Sequence, residues 1–107
     1  MSTKNRISAR VAIKKITGHI SFGEMLLSHR MAEEISQVKM AERIGVSKQE
    51  LCNIEKGRKI LSVERAVSFA KKLKMPPEVF AEYALQDQLV KAGLKGKVSI
   101  TGDMEVA

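Results

Sequence analysis

Between Lys48 and Lys59 the chain collects side chains that hydrogen-bond to flat polar targets: Lys48, Gln49, Asn53, Lys56, Arg58 and Lys59, with Cys52 among them. If this stretch is helical, Lys48, Gln49, Cys52, Asn53 and Lys56 share one face, because positions three and four apart lie above one another. A carboxamide donates and accepts at once, so Gln49 and Asn53 can pair with an adenine edge. A lysine can donate to guanine O6 and N7. These residue types therefore point to base edges in a DNA groove, with Lys48, Gln49 and Asn53 as readers and Cys52 in van der Waals contact. The plainer alternative is a solvated helix face.

Phosphate would be held at the rim of such a face. Gln37 falls at the expected start of the preceding helix, where side-chain and backbone donors can act together. Ser47 and Lys56 bracket the reading helix, and Arg58 and Lys59 follow a glycine stop at Gly57 and could clamp the other side of the backbone. Glu50 and Glu55 would repel phosphate. Glu50 is explained as the capping-box partner of Ser47, and Glu55 as the partner of a nearby cation; neither is given a base role.

The elements needed to position this face are legible as helix starts and stops. Ser21 and Glu24 form a Ser-x-x-Glu capping box, as do Ser47 and Glu50. Ser36 and Ser62 are further caps, and Gly45 sits where a left-handed residue ends a helix. Pro76-Pro77 breaks the chain before a last helix, which Pro77 suits as an opening residue. The expected helices run from about 22 to 33, 37 to 44, 48 to 55, 63 to 73, and 77 to 91 or 92. Residues 37–56 meet four demands of two helices crossing at a tight turn. Ala41 is small where the helices cross, Gly45 tolerates positive φ, Val46 plugs the corner, and Leu51 and Ile54 bury the second helix. Met40 and Ile44 supply the buried face of the first. An ordinary helical hairpin meets fewer of these conditions.

Composition limits what the chain can be. Its 107 residues suit one domain with an appendage at each end, and 44% hydrophobic content suits a folded core. Aromatics are scarce, at 4%, so an aliphatic, Met-rich core of packed helices is expected. The formal charge of +7 is segregated: residues 1–20 carry +5 and residues 39–74 carry +6, while 21–38 and 75–107 carry −2 each. Two separate basic blocks are the footprint of a polyanion partner. A single cysteine, Cys52, forms no disulfide within the chain and suits the cytoplasm. The basic start lacks the apolar run of a signal peptide, and no stretch reaches the length of a membrane span. His19 and His29 lie far from any residue set at metal or catalytic spacing, so neither an enzyme nor a cofactor is expected. Residues 97–101 alternate as a strand would, and Arg10–Ile16 is ambiguous between strand and helix.

The span 22–75 resembles the phage-repressor-like helix-turn-helix family. Residues 22–30 are similar to its first helix. Ile-Ser-Gln-Val-Lys-Met-Ala-Glu-Arg-Ile-Gly-Val-Ser (35–47) is similar to its core motif, and Asn-Ile-Glu-Lys-Gly-Arg (53–58) to the stretch closing its third helix. The resemblance implies an all-α, five-helix DNA-binding domain at 21–93, between a basic arm (1–20) and a tail (94–107) with a strand near 97–101. It implies a dimeric transcriptional repressor on a roughly palindromic double-stranded operator. It also places Gln37, Arg58 and Lys59 on phosphate, and Lys48, Gln49 and Asn53 on bases. Lys74 departs from it, standing where the family usually has glycine, and Leu61 replaces a common proline. The layout of arm, domain and tail also resembles antitoxin-type regulators, which would add a toxin protein as partner. A dimer interface is expected on helix 5 (Phe80, Tyr83, Ala84, Leu89) or on terminal strands.

Overall fold

The computed structural model describes residues 19–100. Among the described residues five helices follow one another: α1 (Phe22–Ala32), α2 (Gln37–Ile44), α3 (Lys48–Glu55), α4 (Val63–Leu73) and α5 (Pro77–Lys91). No strand occurs among the described residues, so the domain is all-α. Residues 1–18, with the ambiguous run 10–16 and most of the basic arm, lie outside the described residues, as does Thr101.

Four of the five helices start on serine for one physical reason. The first N–H groups of a helix have no partner within it, and a serine hydroxyl in extended backbone can accept one of them. Ser21, Ser36, Ser47 and Ser62 do so, from the N–H of Glu24, Lys39, Glu50 and Arg65. Only Ser21 closes a full capping box, with Glu24 accepting the Ser21 N–H at 3.3 Å. The box expected at Ser47 is only half formed, because the Glu50 carboxylate turns away to Lys59 and Arg65. α5 opens on Pro77, which has no N–H to satisfy. The stop of α2 is Gly45 at φ 76°, whereas α4 stops on Lys74, which takes the left-handed conformation at φ 58° without being glycine.

The core corrects the expectation of a methionine-rich interior. Phe22, Phe69 and Phe80 are all buried, and Phe22 and Phe80 meet edge to face with ring centroids 5.6 Å apart. Among the described methionines only Met40 is fully buried, while Met25 and Met75 pack at the margin. Aromatics are few, but the three phenylalanines sit where the helices converge. Phe80 and Ala84 have no exposed surface, so the expectation that they face a partner on helix 5 is corrected too. The apolar groups exposed along α5 and just after it are Val79, Val90 and Leu94.

The expected strand near 97–101 is not formed over its described part, residues 97–100. Its alternation is real, since Val98 and Ile100 are half-buried and Lys97 and Ser99 exposed. The partner, however, is a helix. Val98 N–H donates to Gln86 Oε1 at 2.9 Å and Ile100 N–H to Glu82 Oε2 at 2.7 Å. Residues four apart on a helix are separated by about 6 Å along its axis, and residues two apart in extended chain by nearly 7 Å. Glu82 and Gln86 thus stand in for a neighbouring strand. At the other end Ile20 is buried and His19 pairs with Asp87 at 2.6 Å, so both residues pack on the helical body.

Candidate nucleic-acid interface

α3 is held against the body at both ends and leaves one face free. Leu51 and Ile54 are buried, and Ala41 of α2 is buried in the same cluster. At the turn Val46 N–H donates to the Ala41 carbonyl at 3.0 Å, and Val46 packs against the core. Lys72 of α4 donates to the Ile44 carbonyl at 3.3 Å, satisfying an end group of α2. At the far end α1 comes so close that a Cβ on Gly23 would lie 2.0 Å from the Ile54 carbonyl oxygen. Gly23 is therefore a seat for α3, a role that the Ser-x-x-Glu motif around it does not announce.

The same end carries a buried polar network. Glu55, 6% exposed, accepts from Arg30 through both oxygens, Nε to Oε2 at 2.7 Å and Nη2 to Oε1 at 3.1 Å. Arg30 also donates to the Ile35 carbonyl, and Gln37 Nε2 donates to Glu55 Oε1 at 2.9 Å. Arg30 is thus the cation expected for Glu55. The network ties three helices at one point: Arg30 from α1, Gln37 from the first turn of α2, and Glu55 from the last turn of α3. A clue in the sequence is that Glu55 follows Leu51 by four and Ile54 by one, which puts an acid on the buried side.

The outward face holds the predicted readers together. Ser47, Lys48, Gln49 and Lys56 are exposed, and Cys52 and Asn53 half-buried. Gln49 Nε2 lies 3.3 Å from Asn53 Oδ1, and Arg58 Nη1 reaches the same oxygen loosely at 3.5 Å. Arg58 and Lys59 are exposed in the loop after α3. Gln37 stands apart from the other predicted phosphate contacts because it is half-buried, with one of its amide donors on the buried Glu55, whereas Ser47, Lys56, Arg58 and Lys59 are exposed.

Glu50 flanks this face and gathers cations. Its Oε2 lies 2.9 Å from Lys59 Nζ and 2.8 Å from Arg65 Nη1. Hydrogen bonds from Arg65 and then Lys59 hold its carboxyl below the usual glutamate range. Arg65 carries no signal of this role in the sequence. Its own anchor is Phe69, whose ring centroid lies 5.3 Å from the guanidinium carbon.

Among the described residues no group of His, Cys, Asp and Glu could hold a metal ion. No helix there is long and apolar enough to cross a membrane.

The family model of the helix-turn-helix matches residues 26–80, which takes in α2, α3, the turn between them and most of the packing around them. No curated protein and no solved structure matches the chain. The match covers just over half of the chain and centres on the two helices whose geometry has been described, so the protein belongs to the phage-repressor-like helix-turn-helix family and is a DNA-binding regulator.

Proposed function

We propose that the protein is a dimeric transcriptional repressor that lays α3 in the major groove of an approximately two-fold-symmetric operator. On this reading Lys48, Gln49 and Asn53 contact base edges and Cys52 packs beside them. Gln37, Ser47, Lys56, Arg58 and Lys59 hold the flanking phosphates, Gln37 with its remaining amide donor. The observation that supports it best is the division of α3: one side is packed and pinned through Ile54 and Glu55, and the other presents a run of amide and cationic groups to solvent. Such a rigidly mounted polar face can discriminate bases, since each good bidentate pair is worth about 1–3 kcal/mol.

Selection of bound sequences from random duplex DNA at fixed salt tests the reading. The expected product is a pair of inverted half-sites about 34–36 Å apart, one helical turn. An asymmetric single half-site would overturn the dimer, and absence of any enriched sequence would overturn base reading.

A further inference from the structure

Glu50 presents a difficulty for an interface with DNA. It directly follows the Lys48–Gln49 pair on the reading helix, and it is ionised, yet the neighbouring surface must approach phosphates. Two cations answer it unequally. Arg65, its side chain 38% exposed, is held at three points: its backbone N–H is bound to Ser62 Oγ, its guanidinium lies over the buried Phe69 ring, and its Nη1 is 2.8 Å from Glu50 Oε2. Lys59 is in a loop, its side chain 49% exposed, held only at 2.9 Å by the same oxygen. Exposed ion pairs of that kind are weak, about 0–1 kcal/mol, and a strongly hydrated ammonium on a flexible stem exchanges partners readily.

We propose that Arg65 is a positioning residue for DNA binding: it neutralises Glu50 on the flank of α3, so that Lys59 can leave Glu50 for a phosphate without exposing a bare carboxylate to the DNA backbone. Arg65 itself stays on Glu50 and Phe69 and touches no phosphate. The proposal rests on the DNA-binding reading of α3 and adds a residue to it.

The test uses the full chain and a labelled random-sequence duplex, because the effect concerns the backbone and needs no operator. Affinity is measured by fluorescence anisotropy across a salt series. Arg65→Gln leaves Glu50 with Lys59 alone, so binding weakens about three- to tenfold and the salt slope falls by about 0.9, one phosphate contact. Glu50→Gln frees Lys59 and removes a repulsion, so binding tightens by a similar factor. The double variant returns to the wild-type slope. That recovery is the deciding result, since a merely structural Arg65, or one bound to phosphate, would leave the double variant with the lowered slope of Arg65→Gln. Either that result, or a Glu50→Gln protein no tighter than wild type, overturns the proposal; the second does so even if Arg65→Gln fails to fold. If wild type itself shows no salt-dependent duplex binding, the DNA reading falls first and this inference with it.

Discussion

Glu50 and Glu55 leave α3 on different sides and meet different cations, and the contrast shows how burial decides what a charge is worth. Glu55 and Arg30 are both withdrawn from water, with side-chain exposures of 3% and 11%. Removing one partner strands the other, at a cost of about 3–5 kcal/mol. Glu55→Ala is therefore expected to lower the unfolding free energy by that much, read as a lower urea midpoint at unchanged m-value, and also to release Gln37. A loss under 1 kcal/mol would mean that Arg30 finds water when Glu55 is gone. Glu50 is more accessible and matters through its titration. Its carboxyl is depressed in the folded state by Arg65 and Lys59, so its contribution is present above the ordinary glutamate range and is lost as pH falls through the depressed value. The difference in melting temperature between wild type and Glu50→Gln should be visible at neutral pH and shrink on acidification. A difference that grows on acidification would contradict the ion-pair geometry.

At the scale of elements, the helices were the most legible part, and the reasons are local. A serine followed by polar groups and an apolar stripe specifies a start through chemistry that needs no tertiary information, and four of five starts here are of that kind. Helix-helix contacts are another matter. Nothing in the run Ser21-Phe22-Gly23-Glu24 reveals that Gly23 must admit the Ile54 carbonyl, because that depends on where α3 arrives. Nor does alternation in 97–100 reveal that the partner is the Glu82–Gln86 edge of a helix. The Ser47 capping box failed for a related reason: Lys59 and Arg65, remote in sequence, compete for Glu50 and win. Two variants test these element-level claims. Gly23→Ala should destabilise by about 2–3 kcal/mol, since backbone cannot yield as a flexible side chain can. Lys74→Gly should stabilise by about 0.5–1 kcal/mol, because the left-handed conformation strains a residue with a Cβ by more than glycine loses in chain entropy. Equilibrium unfolding reads both, and a neutral Gly23→Ala would mean that α1 and α3 can part without loss.

At the scale of the whole molecule, charge and mechanism can be compared through salt. The two basic blocks, +5 over residues 1–20 and +6 over 39–74, are separated by one acidic stretch, 21–38, and positive charge of this size speeds the approach to DNA. Three cations, Lys56, Arg58 and Lys59, are proposed on phosphate in each protomer. At about 0.9 per neutralised phosphate, a dimer should show a slope of log affinity against log salt of about −5, and a protomer binding alone about −3. Operator binding measured between low and physiological salt therefore reports stoichiometry and contact number together. If removing residues 1–18 leaves a slope near −5, the reading helix and its flanking loop suffice to hold the backbone. If the full chain is much steeper and truncation restores −5, the N-terminal cations also reach phosphate, and the basic arm becomes a second handle on the same duplex. A slope near −3 with an enriched two-fold operator would be inconsistent with three cations in each half-site, and Lys59, which in the free protein lies 2.9 Å from Glu50 Oε2, would be the first contact to withdraw.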